Sequence, residues 1–352
     1  MQKKVLFAFD DPGGGLAVIT LAERLKEEEN LNMKIYAGKL NEKILKDKKI
    51  EFNIIDSKID KGTAEKIINE FEPDILISGT SGGNAEQELR NVSSEKNIKS
   101  IVILDFWKDY SRRWLYASYP VDNLYDTVCV MDDATKKEMV EEHFTGDRLL
   151  VTGNPYLDKI FNYRQNAACD YSIDNFCVNN FLFLSQPLHI IGITDYKIHP
   201  LEVFLQSLKQ ISEIKQVKVK LKIKLHPLEE EPGEIMKLVI KYNTDNLSVK
   251  LSDKGESLND LINESEAVIG FNTIAMFEAR AMRKRTISLN VVAVKNSLTE
   301  AMNTAGIEIV KSDKKEITKC LIKDCKDNKE ENIFQGGIEN CTAVIFKELN
   351  LN

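Results

Sequence analysis

Residues 5–25 read VLFAFDDPGGGLAVITLAERL. The apolar run Val5 to Phe9 stops at two carboxylates and three glycines, and from Leu16 to Leu25 apolar residues return at helical spacing. The stretch therefore predicts a strand, a loop and a helix in immediate succession. The same unit recurs down the chain. Strands are expected at MKIYAG, EFNIID, DILISG, SIVILD, TVCVMD and RLLVTG, separated by polar helical stretches such as Ala64 to Phe71 and Ala134 to Glu142. Strands alternating with helices imply a mainly parallel sheet covered on both faces.

After VTGNPYLDKI the periodicity loosens through NYRQNAACDYSIDNFCVNN, and alternation resumes with FLFLS, VKLKIKL, LSVKLSD, EAVIGF and TISLNV. The expected organisation is a first domain over 1–160, a linker over 161–180 and a second α/β domain over 181–335. A last helix, Ile338 to Leu349 within 336–352, would return to the first domain. At 352 residues with 43% hydrophobic content, the chain is long enough for two ordinary cores. The fold class expected is α/β, with two Rossmann-like, doubly wound domains facing a central cleft lined by loops after the strands.

Charge and composition narrow the function classes. The net charge of −7, with basic residues spread among acids, offers no broad basic face for nucleic acid. No apolar run approaches the roughly 20 residues of a membrane span, and MQKKVLFAFDD meets charge too soon for a signal peptide, so the chain reads as cytoplasmic. Six cysteines are too few and too irregular for a disulfide framework, and free thiols are expected. The four histidines, His143, His189, His199 and His226, lack metal-ligand spacing, so no metal site is expected.

Chemistry is sought in the loops. In DDPGGG the glycines permit close backbone approach and the helix start favours an anion, yet neither GxGxxG nor a P-loop is present, and two carboxylates repel phosphate. A catalytic reading makes Asp11, or Asp10, a general base. The plain alternative is a tight turn with Asp11 capping the helix. SGTSGGNAEQELR repeats the architecture, with Thr80 and Ser81 able to read sugar hydroxyls and Glu86 in the first helical turn. ILDFWKDYSRRWLYASYP crowds Trp107, Tyr110 and Trp114 with Arg112 and Arg113, which suits either an acceptor site or an apolar interface. Gly13 and Gly14 join Thr80, Ser81, Trp107, Tyr110, Arg112 and Arg113 as the acceptor-side set.

In the later half, KVKLKIKLHP places Lys218, Lys220, Lys222 and Lys224 on one strand face, with His226 and Pro227 at the strand's carboxyl end. The lysines read as a partly solvated face and His226 as a ligand contact. In EAVIGFNTIAMFEAR, Asn272 or Thr273 can cap a helix beginning near Ile274, and Glu278 lies further along it. Ser185 and Gln186, closing FLFLSQ, complete the donor-side set.

LHP together with FNTIAMFEA resembles the paired signatures of nucleotide-sugar transferases with the GT-B fold. The nearest similarity is to the group of polysialyltransferases, capsule-polymer transferases and CDP-glycerol glycerophosphotransferases. The resemblance implies that His226 and Pro227 contact the donor phosphate, that Thr273 supplies a hydroxyl to the nucleotide, and that Glu278 accepts from the ribose. Where that group often carries a second hydroxyl, this chain has Ile274. DDPG is only loosely similar to the acidic pair of bacterial sialyltransferases.

The function expected from this resemblance is a metal-independent inverting glycosyltransferase in surface-polysaccharide or glycoconjugate biosynthesis. It would use a CMP- or UDP-linked donor, such as a CMP-activated acidic sugar, and a glycan or lipid-linked acceptor, with no other cofactor and with peripheral membrane contact allowed. Asp11 would deprotonate the acceptor, while His226 and Thr273 stabilise the departing phosphate. Two alternatives stand beside it: a UDP-N-acetylglucosamine 2-epimerase-like enzyme, and a non-catalytic nucleotide-sugar-binding subunit of a polymer-synthesis complex.

Overall fold

The computed structural model describes residues 2–166, 179–189, 196–227, 229, 233–253, 255–290, 296–323 and 334–351. They fall into two compact units. The first comprises Met1–Tyr163, Asn296–Ala301 and Asn332–Asn352, and the second comprises Arg164–Lys295 and Met302–Glu331. Asn296–Ala301 thus groups with the first unit, a departure from the expected undivided second domain over 181–335. Of the expected linker, residues 167–178 lie outside those described.

The first unit holds a seven-stranded parallel sheet built from β1 (Lys3–Phe9), β2 (Leu31–Gly38), β3 (Asn53–Ile55), β4 (Ile75–Ser78), β5 (Lys99–Ile103), β6 (Thr127–Val130) and β7 (Leu149–Val151). Their order is β3-β2-β1-β4-β5-β6-β7. The intervening helices are α1 (Pro12–Leu25), α2 (Glu42–Asp47), α3 (Lys61–Phe71), α4 (Ala85–Glu95), α5 (Asp133–Glu141) and α6 (Pro155–Asn166). Val5 to Phe9 are fully buried, as a central parallel strand covered on both faces requires. Strand order reverses between β1 and β4, where Ala8 pairs with Ser78. In sheets of this kind, ligands gather at the carboxyl ends of the strands beside such a reversal. The loops that follow these two strands begin with Asp10 and Gly79.

The second unit has a six-stranded parallel sheet of β8 (Asn180–Leu184), β9 (Val219–Lys224), β10 (Leu247–Leu251), β11 (Ala267–Gly270), β12 (Arg285–Asn290) and β13 (Glu308–Lys311), in the order β10-β9-β8-β11-β12-β13. Its helices are α7 (Pro200–Lys215), α8 (Gly233–Tyr242), α9 (Leu258–Glu264), α10 (Ile274–Ala281) and α12 (Lys314–Ile322), while α11 (Ser297–Thr304) starts among the residues of the first unit. Here the reversal lies between β8 and β11.

Two elements depart from the sequence reading. Residues 155–166 form α6, which runs on into the stretch from Asn162 where a loosening was expected; Asn154 caps it by accepting the backbone N–H groups of Tyr156 at 2.9 Å and Leu157 at 3.1 Å ahead of a Pro at the first position. β13 was not anticipated, since EIVK is too short to show a period. The last helix, α13 (Gly337–Leu349), buries Cys341, Ile345 and Leu349 in the same core as α1 of the first unit.

Candidate functional site

Asp10 and Asp11 end β1 but diverge. Asp11 caps α1: its Oδ1 accepts the N–H of Gly14 at 2.8 Å, with Pro12 at the first helical position. Asp10 faces the other way, so that a Cβ built on Gly38 would stand 2.2 Å from its Oδ1 and one on Gly83 would stand 3.1 Å from its Oδ2. Behind them Asn41 donates from Nδ2 to the Asp10 carbonyl at 2.7 Å, which fixes the turn.

Glu86 ties this loop to the loop after β4. Only 3% exposed, it accepts the Asp10 N–H at 2.9 Å on Oε1 and the Ser81 N–H at 2.7 Å on Oε2. Burial, reinforced by the charge of Asp11, raises its carboxyl to about 7 in spite of those two donors. Burial and then the charge of Asp105 push Asp11 to about 6, against the lowering effects of Gly14 N–H and Arg113. Asp10 is raised by burial.

Asp105, immediately beyond β5 and Leu104, brings a third aspartate to the glycines. A Cβ on Gly13 would lie 3.7 Å from its Oδ2 and 3.4 Å from Asp11 Oδ1, so the two carboxylates flank one stretch of backbone. Asp105 Oδ1 accepts from Arg113 Nη1 at 2.7 Å and from the Thr80 hydroxyl at 3.0 Å. Arg113 also donates to the Thr80 carbonyl at 3.1 Å and the Lys108 carbonyl at 3.2 Å. The sequence signal for Asp105 was available: like Asp10, it is an acid closing an apolar strand at the carboxyl edge of the sheet.

The aromatic loop does not face outward as an acceptor site would need. Trp107 and Tyr110 are each 1% exposed, and Trp114 is buried too. Tyr110 hydrogen-bonds Ser297 Oγ at 2.6 Å, and the Trp114 indole N–H donates to Asp126 at 3.1 Å. The expected acceptor role of Trp107 and Tyr110 gives way to internal packing, which satisfies their polar atoms. Arg112 is exposed, whereas the charge of Arg113 is taken up by Asp105, so SRRW does not present two open cations to an acidic partner. Thr80 joins the acid cluster through Asp105, and Ser81 through its backbone N–H.

In the second unit, His226 lies half-buried just past β9 and its backbone N–H donates to Glu229 Oε2 at 2.8 Å. Glu229 Oε1 accepts from Ser185 Oγ at 2.8 Å, joining the loops after β8 and β9. Burial lowers the His226 imidazole below its ordinary value, more than Glu229 raises it. Pro227 is exposed and Gln186 partly so. Lys222 pairs with Glu256 at 2.6 Å and Glu264 at 3.1 Å, and Lys224 donates to the Glu256 carbonyl at 2.9 Å, so these lysines are held by the unit itself. Thr273 is the N-cap residue of α10, yet its side chain makes no capping bond, and Asn272 Oδ1 accepts from Ser288 Oγ at 3.2 Å. Glu278, on α10, is 3% exposed. The imidazole of His199, unassigned from sequence, accepts the Leu201 N–H on Nδ1 at 3.2 Å and so caps α7.

The acids meet in one cluster, and His226, Ser185 and Thr273 lie in loops at the carboxyl edge of the other sheet. Among the described residues no group of three or more His, Cys, Asp or Glu side chains is arranged to hold a metal ion, and no helix is long and apolar enough to cross a membrane. Cys129, Cys320 and Cys341 are free thiols.

No protein-family model matches the sequence, and no curated protein matches it. Solved structures do share its architecture. The Listeria monocytogenes structure assigned as a UDP-N-acetylglucosamine 2-epimerase superposes with a TM-score of 0.73 at 14% identity, over 99% of this chain and 97% of its own. The Neisseria meningitidis UDP-GlcNAc 2-epimerase bound to UDP-GlcNAc gives 0.71 at 14%, over 99% of this chain and 100% of its own. Acinetobacter baumannii MurG gives 0.54 at 12%, over 99% and 100% respectively. At such identities the likeness establishes the fold: two Rossmann-like parallel-sheet domains of the GT-B type.

Proposed function

We propose that this chain is an acid–base enzyme acting on a nucleotide-activated sugar, with Asp11 as the group that moves the proton. The observation that carries the reading is the pair Asp11 and Asp105 beside Gly13, with Asp11 raised to about 6, where a carboxyl both takes and returns protons near neutral pH. Inversion at a carbon that bears hydrogen is met by removing that proton and returning one to the opposite face; release of the free sugar also breaks the bond from C1 to the UDP oxygen, UDP departing and water supplying the new C1 oxygen. Two carboxyls flanking one site suit this task. The full-length likeness to UDP-N-acetylglucosamine 2-epimerases therefore supports a 2-epimerase-type reaction on a UDP-linked N-acetyl sugar as the first reading.

Glycosyl transfer is the second reading, favoured by the single carboxyl of Asp11 held over a glycine turn, as a base for an acceptor hydroxyl would be. In either case the nucleotide is assigned to the second unit, to His226, Ser185 and the Thr273 end of α10.

Incubation of the protein with UDP-N-acetylglucosamine, followed by proton NMR, tests the reading. N-acetylmannosamine, free or nucleotide-linked, is expected from the native chain and not from Asp11→Asn. Consumption of CMP-, CDP- or UDP-linked donors only when an acceptor is added would establish transfer instead. Nucleotide binding with no turnover of any donor would leave a binding subunit and overturn the proposal.

A further inference from the structure

Arg90, on α4, is 1% exposed and belongs to none of the site residues so far given a role. Its guanidinium reaches two loops at once: Nη1 donates to the Gly79 carbonyl at 3.4 Å, after β4, and Nη2 donates to the Arg113 carbonyl at 3.2 Å, after β5. It also donates to Gln87, pairs with Asp126 at 3.8 Å and lies over the Trp114 ring at 5.1 Å. Burying a guanidinium this deeply is costly unless its donors are matched; its two terminal nitrogens reach carbonyls on the two loops, while Nε makes no hydrogen bond and has only the Asp126 charge at 3.8 Å.

The two tethered segments carry the acid cluster. Gly79 precedes Thr80, and Arg113 is the cation whose Nη1 touches both Thr80 and Asp105. We propose that Arg90 is a positioning residue of the acid site, seating the Arg113 loop so that the Arg113 guanidinium stays between Thr80 and Asp105. This rests on the reading that Asp11 and Asp105 form the reacting centre. Arg90 touches neither carboxylate directly; it acts through the backbone of residue 113. The planar guanidinium sends one terminal nitrogen to each loop from a single stem, a fork that a lysine's ammonium does not reproduce.

The groups facing Asp11 are Asp10 on its own turn, Asp105 and Arg113 beyond β5, and Glu86 on α4. If Arg113 leaves its seat, Asp11 loses a nearby positive charge while the Asp105 carboxylate remains, and its titration moves up. Simple loosening of the loops has the opposite sign, because water entering the site relieves burial and moves Asp11 down.

The test is a carboxyl carbon-13 NMR titration of the free protein, labelled at aspartate, which needs no substrate and so does not depend on which reaction is catalysed. Arg90→Lys keeps a positive charge beside Asp126, and near-UV circular dichroism verifies that it is folded. Asp11 is expected to titrate about one pH unit higher than in the native chain, a tenfold change in its proton affinity. Arg113→Gln should raise Asp11 in the same way, and adding Arg90→Lys to it should bring no further rise. A downward or absent shift in folded Arg90→Lys, or a full additional rise in the double variant, would overturn the proposal. Should Arg90→Lys not fold, the Arg113→Gln titration decides alone: an unmoved Asp11 there removes the link on which the inference depends.

Discussion

The carboxylate of Glu86 accepts the backbone N–H of Asp10 across the gap between β1 and β4, at 2.9 Å, and its second oxygen takes the N–H of Ser81 at 2.7 Å. One buried side chain thereby closes the reversal point of the sheet and sets the direction in which the acidic turn leaves β1. Glu86→Ala, which removes both acceptors, is therefore expected to cost about 1–3 kcal/mol of stability, measured by urea unfolding. An unchanged midpoint would show that the two N–H groups find other acceptors.

The same residue gives a pH dependence of definite sign. Its folded value, about 7, lies above the ordinary 4.5, so the folded chain binds its proton more tightly than the unfolded chain does. That contribution is complete below about pH 4.5 and is lost as pH rises through about 7. Buried histidines with lowered values, His199 and His226, act in the opposite sense below pH 6.5, so the native chain alone does not isolate the effect. The difference between native and Glu86→Gln does. The native chain's advantage is expected to be larger at pH 5 than at pH 8 by about 2 kcal/mol. Equal differences at the two pH values would place the Glu86 carboxyl near its ordinary value.

Glycine contacts separate the two aspartates by experiment. A Cβ at Gly38 would meet the Asp10 Oδ1 at 2.2 Å and the Asp10 carbonyl at 2.3 Å, and neither can yield without moving the turn. At Gly13 the nearest atom, Asp11 Oδ1, is 3.4 Å away. Gly38→Ala is expected to destabilise the fold by about 1–3 kcal/mol and to displace Asp10, whereas Gly13→Ala retains stability. Thermal unfolding of the two variants measures the contrast, and comparable losses would contradict the described path of the turn.

The fold was legible because its signal is distributed: strands such as Val5–Phe9, Ile75–Ser78 and Ala267–Gly270 are apolar runs ending at a turn, and β9 shows a period of two. The position of Asp11 at a helix start was equally readable from Pro12 and the glycines. What sequence did not separate was chemistry from packing within one loop. Trp107, Tyr110 and Arg113 have the composition of a sugar site, but whether an aromatic ring turns outward depends on polar partners supplied by distant segments, Asp132 for Trp107 and Ser297 for Tyr110. Arg90 was hidden for the same reason, since an arginine on an amphipathic helix reads as surface until the loops that bury it are placed.

Burial lowers the imidazole of His226 and so favours its neutral form in the free chain, and on the proposed assignment it would meet a phosphate as an N–H donor. A bound nucleotide diphosphate supplies negative charge that raises the imidazole again, so binding near pH 6 should draw in a proton, and affinity should rise as pH falls. Calorimetric titration with UDP in buffers of different ionisation enthalpy measures that uptake directly. A larger proton uptake near pH 6 is expected for the native chain than for His226→Gln, which keeps a donor but cannot titrate, the phosphate of UDP, whose own second ionisation lies near 6, contributing to both. Because Glu229 holds the backbone of residue 226 at 2.8 Å, the glutamine variant should preserve the loop and lose about tenfold in affinity at pH 6, against little change at pH 8. Equal uptake by the two chains, together with an unaltered affinity in His226→Gln, would remove this imidazole from the phosphate site.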